Sequence, residues 1–521
     1  MPPGPPTVPI LGNMHMIPTT GLGKKFMEWS LQYGKIFSLK IGSGNIIVIC
    51  DRKAVHELLD KKGSIYSDRP PNIVPLFITR GDHMTMECQS PSWREKRTVV
   101  TRNLNPKSLD EKHFRVQETE AVILMNRLLD DPSNFYSYSR LYASSVASIL
   151  AWGFRATTLD SFWYKDVSAM IEKWLEAIEP GATPPVDLIP WLWYIPGRWK
   201  SRVYKMRDHM DKVWSQARAM VDDRRARGDR RECMIDMKLD EYEKNGWPMS
   251  QHAFNNLFGE LMEAGADTTA NQILTLILAL AKYPQFQEKA RVEIDAVCGT
   301  ERAPVFSDFQ KMPYVNAIVK EGLRWRPTSD LGLPHTVTKD DYYDGMLIPK
   351  GSTIFVGVWA MHHDKDYYGS HDTFDPDRYL SHTKLANEYA VGPDYEKRDK
   401  SIPQKYHMEL WTNLHFHITM DMELDGVSAL EFIWPSAVSP HRSRVGKLSL
   451  CNPCTPDLPL HLVDLLRQMK RYQIQGRSHT DVIHAVAAMH GVTPHKESAE
   501  DPMSQRTRKA DSADKVYWPI P

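Results

Sequence analysis

The first part of the chain alternates between strand-like and helix-like patterns. β-Branched and apolar residues dominate two runs, IFSLKIG at residues 36–42 and NIIVICD at residues 45–51, with little more than a Ser-Gly step between them. Two such runs around a tight polar step predict a β-hairpin. The next run, RKAVHELLDKKG at residues 52–63, has the periodicity of a helix that a glycine terminates.

Helical periodicity dominates from Trp93 to about Gln285, with interruptions that are rich in tryptophan and proline near residues 184–200. The strongest predicted helix starts after Ser250, a favourable N-cap, and ends before Pro284. Apolar side chains occupy nearly every face of its second half. We therefore expect this helix to run through the core.

Shorter elements complete the pattern. A helix containing YVNAIVKEGLRW ends before Pro327, and short extended runs follow to about residue 364. A hairpin, then many helices, then short strands predict a mainly α fold with small β-sheets, an α+β domain over residues 1–399. Residues 400–521 keep neither period for long, and the polar, charge-mixed end from residue 495 is expected to be disordered.

Composition then narrows the function classes. The 521 residues include 65 Lys plus Arg and 65 Asp plus Glu, so charge gives no argument for a nucleic-acid partner. The six cysteines are scattered, which favours a reducing compartment over a disulfide framework. No apolar run is long enough to span a membrane, and the start MPPGPPTVPILGN lacks the regions of a secretory signal. This proline-rich start is typical of a linker, so we expect that an N-terminal anchor is missing.

Candidate chemistry first appears in the predicted core helix. The motif AGADTTA places Asp267 and Thr268 in an otherwise apolar element, where a carboxylate and a hydroxyl are costly unless they are paired. Gly265 weakens the helix, and a threonine hydroxyl competes for a backbone carbonyl, so the helix is expected to widen locally. Such a turn suits proton delivery to a ligand. A helix–helix contact between small residues explains the motif equally well.

Two further motifs are weak when each is taken alone. EGLR places Glu321 and Arg324 on one helical face, and Arg378 in FDPDRYL is a second guanidinium that is able to reach Glu321. WREKR places Trp93 and Arg97 at i and i+4, where an indole N–H and a guanidinium suit a ligand carboxylate. Solvated surface pairs are the ordinary alternative for both motifs.

The order and spacing of these motifs, from PPGPPTVPILGN through WxxxR, AGADTT, ExxR and PDRY, resemble the cytochrome P450 family over residues 2 to about 399. The chain looks most like fungal microsomal members, including those similar to the O-methylsterigmatocystin oxidoreductases. FDPDRYLSHTKLANEYAVGPDYEKRD is particularly like the family's approach to its haem loop.

The resemblance implies a role for each matched residue. Trp93 and Arg97 would hold one propionate of haem b, and His335 would contact the other. Ala264 and Gly265 would lie over the haem, with Asp267 and Thr268 as the catalytic proton relay. A supporting triad would consist of Glu321, Arg324 and Arg378.

The reaction that the resemblance implies is insertion of one oxygen atom from O₂ into a small lipophilic substrate, in fungal secondary metabolism. Electrons would come from NADPH through NADPH–cytochrome P450 reductase. The implied location is the endoplasmic reticulum membrane. A cytoplasmic location is the alternative if the missing anchor is real.

The axial cysteine of the family is absent at its expected place. No cysteine lies between Cys298 and Cys451, and the CNPC at residues 451–454 lacks the surrounding glycines and arginine. The chain therefore offers no metal ligand of the expected kind, and a histidine of LHFHI, His415 or His417, is a weak substitute.

A one-base frame shift accounts for the loss. Residues 419–437 are compatible, in the shifted frame, with YGYGAGRRICPGIHLAER, in which the cysteine codon straddles Ser428 and Ala429. We interpret residues 400–521 as an aberrant segment, frameshifted or derived from an intron. Two functions stay open: a haem-thiolate monooxygenase, or a catalytically dead remnant that lacks the axial cysteine.

Overall fold

The computed structural model describes residues 1–381 except residues 19, 180, 188, 300 and 301, together with residues 495–496 and 516–517. The α-helices, numbered in chain order, are α1 Leu22–Tyr33, α2 Arg52–Val55, α3 Gly63–Tyr66, α4 Ile73–Ile78, α5 Pro91–Asn103, α6 Pro106–Ser108, α7 Phe114–Asp130, α8 Phe135–Trp152, α9 Phe162–Ile178, α10 Arg198–Ala226, α11 Met234–Asn245, α12 Gln251–Lys282, α13 Pro284–Cys298, α14 Pro313–Trp325 and α15 Val358–His362. Helices thus dominate, and the predicted mainly α fold with small sheets is confirmed.

The strands form three small sheets. Their bounds are β1 Ile36–Ile41, β2 Gly44–Ile49, β3 His335–Thr336, β4 Asp341–Tyr343, β5 Met346–Ile348, β6 Thr353–Val356, β7 His495–Lys496 and β8 Val516–Tyr517. The largest sheet has the order β1-β2-β6-β3, in which β2 pairs with β6 in parallel and the other pairs are antiparallel. β4 pairs with β5, and β7 pairs with β8. The sheet therefore joins the start of the chain to residues 335–356.

The predicted hairpin forms, but the helix predicted after it is divided. β1 and β2 pair from Ile36 opposite Ile49 to Ile41 opposite Gly44, as the two apolar runs indicate. The helix predicted over residues 52–63 is α-helical only in α2 and continues as a π-helical turn, His56–Asp60, before α3 begins at Gly63. Within the π turn the His56 imidazole lies 2.8 Å from the Asp60 carboxylate, a buried contact that stabilises the wider turn.

The helical core surrounds α12. The Ser250 hydroxyl accepts a hydrogen bond from the backbone N–H of Ala253 at 3.0 Å, so the predicted N-cap is present. All but one of the buried positions of α12 lie between Ala253 and Thr275, so this helix runs through the core as predicted and is buried most continuously over its first three quarters.

Small residues on α12 allow its neighbours to approach closely. The Trp152 indole of α8 donates to the carbonyl of Phe258 at 3.0 Å. A Cβ on Gly259 would lie 2.4 Å from the Trp214 ring of α10, and one on Gly265 would lie 3.1 Å from the Cβ of Ala147 of α8. The backbone of α12 is therefore held between α8 and α10 at a distance that longer side chains would not permit.

Within the part of the chain that the structure describes, no helix is both long enough and apolar enough to cross a bilayer.

Candidate active site

The AGADTT motif lies in the buried part of α12. Ala264, Asp267 and Thr268 are each less than a tenth exposed. The Thr268 hydroxyl donates to the carbonyl of Ala264 at 2.9 Å, one turn earlier, so the threonine does bind the helix backbone. The helix nevertheless stays a continuous α-helix here, and the local widening that the sequence suggested is absent from α12. Rotation about one side-chain bond would free the hydroxyl.

Asp267 is paired with a residue that the sequence did not identify. Arg140 of α8 donates to Oδ1 of Asp267 from Nε at 3.2 Å and from Nη2 at 2.9 Å, and its Nη1 donates to Glu172 of α9 at 3.1 Å. Burial opposes the charge of Arg140, but the Asp267 carboxylate outweighs this effect and raises the pKa of the guanidinium. The other oxygen of Asp267, Oδ2, is buried and has no hydrogen-bond partner among the described residues. This oxygen is therefore available to accept a proton or a hydrogen bond.

An apolar cavity of about 230 Å³ lies on another side of the same helical turn. It is enclosed by α7, α8 and α12, and small side chains widen it, because Ala143, Ala147 and Ala151 face Ala264 and Gly265. Leu104, Tyr142 and Thr269 also contribute to its wall. The cavity shows that the region around Ala264 and Gly265 has room for an apolar group.

WREKR begins α5, and Ser90 caps this helix. The Ser90 hydroxyl accepts from the backbone N–H of Trp93 at 3.0 Å, and Pro91 occupies the first turn, where a missing N–H has no cost. Trp93 and Arg97 are both partly buried. The Trp93 ring packs against the same hydrophobic core as the first half of α12. The Ser90 cap and the packing of Trp93 together fix the orientation of the first turns of α5, which carry Trp93 and Arg97.

His335 belongs to a junction between three segments of the chain. It lies in β3 and is 6% exposed, with Nε2 3.4 Å from Nη1 of Arg69, which also donates to the carbonyl of Pro334 at 2.9 Å. The backbone carbonyl of Asp68 accepts from Thr336, and the Asp68 carboxylate accepts from the N–H of Gln89, just before α5. Residues 68–69 therefore connect His335 to the start of the helix that bears Trp93.

Glu321, Arg324 and Arg378 come together as a buried ionic group. Glu321 is fully buried and accepts from Arg324 Nε and Nη2, both at 2.7 Å, and from Arg378 Nε at 3.2 Å. The backbone N–H of Asp375 donates to the same carboxylate at 2.8 Å. Burial opposes the charge of Arg324, but Glu321 outweighs it and the pKa of Arg324 is raised. Glu321 is therefore not part of a solvated surface pair, which was the alternative interpretation of the EGLR motif.

Arg324 also donates hydrogen bonds to backbone carbonyls of the loop that follows α15, and these bonds hold the loop in place. Nη1 donates to the carbonyls of His362 and His371 at 3.0 and 2.7 Å, and Nη2 donates to that of Thr373 at 3.0 Å. Five donors in a planar fork suit such a set of acceptors, which a lysine would not satisfy. The triad therefore ties the loop of residues 369–379 to α14.

The cysteines in the described residues do not fit an axial thiolate. Burial raises the pKa of Cys50 to about 12 and that of Cys233 to about 11. The pKa values of Cys88 and Cys298 are also raised, first by burial. Each of these four side chains is therefore a thiol at neutral pH, whereas an iron ligand must be a thiolate. The described residues also contain no cluster of three or more His, Cys, Asp or Glu side chains suited to a metal ion.

The rest of the predicted ligand region lies outside the described residues. This applies to Ser428 and Ala429, to His415 and His417, and to Cys451 and Cys454. The predicted boundary at residue 399 and the interpretation of residues 400–521 stay predictions for the same reason.

Sequence reasoning missed Arg140 and Arg69 because their partners lie far away along the chain. Arg140 and Asp267 are 127 positions apart, and Arg69 and His335 are 266 positions apart. A faint signal for Arg140 exists in the sequence, since it is the single charged residue of α8. A lone charge in a helix that packs in a core requires a partner.

Comparison with known proteins agrees with this arrangement. The family model of cytochrome P450 matches residues 2–403. The cytochrome P450 monooxygenase patI of Aspergillus clavatus is 40% identical over 403 residues, which cover 77% of this chain and 76% of that protein. The cytochrome P450 monooxygenases atE of Aspergillus terreus and acuD of Aspergillus aculeatus are each 39% identical over 403 residues, with 77% of this chain covered and 75% and 76% of theirs.

These relatives are fungal monooxygenases, and the match of the family model extends over α1 to α15, β1 to β6 and the candidate site residues that the structure describes. The match ends near residue 403, before the place where the resemblance predicts the axial cysteine. The chain belongs to the cytochrome P450 family.

Proposed function

We propose that this chain is a fungal haem monooxygenase that inserts one oxygen atom from O₂ into a small lipophilic molecule of secondary metabolism. The observation that supports the proposal most directly is the buried Asp267–Thr268 pair, with a free carboxylate oxygen beside a hydroxyl in an apolar helix. An acid and an alcohol at adjacent positions suit transfer of a proton over a short distance in the interior, and Arg140 holds the acid in place while it also pairs with Glu172.

Haem, when bound, would supply the activation of dioxygen. Trp93, Arg97 and His335 would hold its propionates, and Ala264 and Gly265 would allow a flat group to lie against α12. Arg140 orients the Asp267 carboxylate through two hydrogen bonds, and Thr268 would pass a proton to an acceptor on its far side. The apolar surroundings exclude water from this turn. We infer that an NADPH-dependent reductase supplies the electrons, and that the enzyme acts at the endoplasmic reticulum membrane.

The chemistry of the cysteines favours the alternative, a chain that has the family's fold but lacks the axial cysteine and is inactive. Burial raises the pKa of the cysteines in the described residues, which disfavours a thiolate at each of them, so the candidate ligands are Cys451, Cys454 and a cysteine of a tail that is read in the shifted frame. If none of these supplies it, the polypeptide keeps the family's fold without its activity. We propose that the native transcript encodes the ligand in the shifted frame, with its codon across Ser428 and Ala429.

One set of spectra separates these possibilities. The full chain, a Cys451→Ser/Cys454→Ser variant and a chain with the restored frame are expressed with haem, reduced and exposed to carbon monoxide. We expect the red-shifted absorption band of thiolate-ligated haem in the restored chain alone. The same band in the full chain, lost in the double serine variant, would instead assign the ligand to the CNPC segment.

The two remaining outcomes are equally informative. Absence of the band from all three chains contradicts the monooxygenase proposal. A nucleotide sequence that does not read YGYGAGRRICPGIHLAER in the shifted frame rejects the frame hypothesis, whatever the spectra show.

A further inference from the structure

A buried ionic cluster outside the motifs described above connects the segment Thr79–Ser90, between α4 and α5, to α12. At its centre is His83, which is 1% exposed. Its Nε2 lies 3.1 Å from Oε2 of Glu263, and its Nδ1 lies 3.4 Å from Oε2 of Glu260 and 2.8 Å from the Thr85 hydroxyl. The backbone N–H of Met84 donates to Oε1 of Glu260 at 2.9 Å.

Charged groups from each packed element face this cluster. α12 contributes Glu260 and Glu263, both buried, and α5 contributes Lys96, which is 0% exposed and lies 2.6 Å from Glu87 and 3.8 Å from Asp82 of the segment. From α9, the Trp174 ring stacks on the imidazole with centroids 5.6 Å apart. One imidazole is therefore placed between two buried carboxylates.

A second imidazole repeats the arrangement at the other end of the segment. Nδ1 of His252, in the first turn of α12, lies 2.6 Å from Asp82 of the segment, and its Nε2 lies 3.0 Å from Asp211 of α10. Arg80 of the segment forms an ion pair with the same Asp211. The segment thus has two histidine contacts to carboxylates, one buried and one half-exposed, and both require a proton on the imidazole if both ring nitrogens are to donate.

We propose that His83, Glu260 and Glu263 form a pH-sensitive latch that holds the segment Thr79–Ser90 against α12 when protonated and releases it as the pH rises. Glu260 and Glu263 lie within the turn of α12 that precedes Ala264, so opening of the segment would loosen the packing beside this turn. Its consequence for substrate entry rests on the proposed function, but the latch itself does not.

The charge balance explains the direction of the switch. With His83 protonated and one of the carboxylates neutral, the central trio has no net charge. Loss of protons from both His83 and the neutral carboxyl would leave two carboxylates facing each other in a buried site, a cost that opening of the segment relieves. Oε2 of Glu260 is buried and has no hydrogen-bond partner among the described residues, so a negative charge on this oxygen is poorly compensated.

The pKa values support this direction. Burial raises the pKa of Glu260 to about 7, although His83 opposes the shift. Burial also disfavours a charge on His83, but the carboxylates of Glu260 and Glu263 outweigh it and the pKa of His83 is raised. Both groups therefore bind protons more tightly in the closed state than in the open one. Closure weakens as the pH rises through these values.

Exchange of the Met84 amide measures the latch directly, because this N–H donates to Glu260 only while the segment is closed. Protection factors of the full chain, corrected for the intrinsic rate at each pH, are compared at about pH 5.5 and about pH 8.5. We expect protection to fall by about tenfold or more in the unaltered chain. In Glu260→Gln, which keeps the acceptor but does not titrate, the fall should shrink to less than about threefold.

Matched controls keep the test decisive. Glu288→Gln changes an exposed carboxylate on α13 that pairs with Arg291, and its Met84 protection should follow that of the unaltered chain. Glu263→Gln replaces Glu260→Gln if the latter does not fold. Protection that stays constant with pH in the unaltered chain would overturn the latch, and so would an unchanged pH dependence in both glutamine variants. The measurement requires neither bound haem nor enzymatic turnover. A negative result would therefore contradict the latch and leave the proposed function untouched.

Discussion

At the scale of single residues, the pairing of Arg140 with Asp267 has the largest consequence for the candidate chemistry. Both side chains are about nine-tenths buried, and the guanidinium uses two nitrogens on one carboxylate oxygen. A pair of this kind costs desolvation on both sides, so its net contribution is small while both members are present. Removal of one member leaves the other charge buried without compensation.

We therefore expect Arg140→Gln to destabilise the fold by about 3 kcal/mol, because the buried Asp267 carboxyl group loses its charged partner. Asp267→Asn alone should cost a similar amount. The double variant Arg140→Gln/Asp267→Asn should recover much of the loss, because both charges are gone. Chemical denaturation of the four proteins measures the coupling. Additive single effects would show that the two side chains do not depend on each other.

At the scale of elements, α12 determines how closely the core helices approach. Gly259 lies under the Trp214 ring, and Gly322 of α14 lies under Gln272 and Leu276 of α12, with 2.6 Å from its expected Cβ to the nearest atoms. Alanine is the better helix former by about 1 kcal/mol. At Gly259, however, a methyl group would overlap with the Trp214 ring, which is 1% exposed, whereas at Gly322 it would overlap with the ends of two flexible side chains.

Gly259→Ala should destabilise the protein by about 1–3 kcal/mol despite the gain in helix propensity, because the Trp214 ring must be displaced. Gly63→Ala is the matched control. It lies in the first turn of α3, where a Cβ would come no closer than 3.4 Å to Ser67, so it should be neutral or slightly stabilising. Thermal unfolding midpoints compare the two variants. An equal effect would show that packing on α12 is looser than these distances indicate.

The elements also show what the sequence was able to predict. The Ser250 cap and the β1–β2 hairpin depend on contacts within a few positions, and both were predicted from local pattern. The burial of α12 was also predicted, but the neighbours that cover it were not, because apolar content does not reveal which elements pack on a helix. His83 and Glu263 are 180 positions apart, and neither belongs to a motif. Only the fold brings them together, so their cluster was not predictable from pattern.

At the scale of the whole molecule, the titration of a few buried groups sets the pH dependence of stability. Burial raises the pKa of Glu260 and of Asp330 to about 7. The pKa of His252 is raised by Asp82 and Asp211 against burial, and that of His83 is raised as well. All four bind protons more tightly in the folded state, so stability falls as the pH rises through their folded pKa values.

From about pH 6.5 to about pH 8.5 the free energy of unfolding should therefore fall by about 1–2 kcal/mol. His363 has the opposite sign, because burial lowers its pKa to about 4, but its effect lies below about pH 6.5. Urea denaturation across this range measures the slope, and Glu260→Gln should reduce it. A stability that rises with pH would contradict the sign derived from these groups.

The position of Cys88 has a practical consequence for the latch. It is the exposed cysteine among the four that the structure describes, and it lies five residues after His83 within the segment Thr79–Ser90. With Cys451 and Cys454 replaced by serine, one thiol-reactive fluorophore would attach at this position without any engineered cysteine. The chain therefore already contains an attachment point from which the motion of the segment is observable in real time.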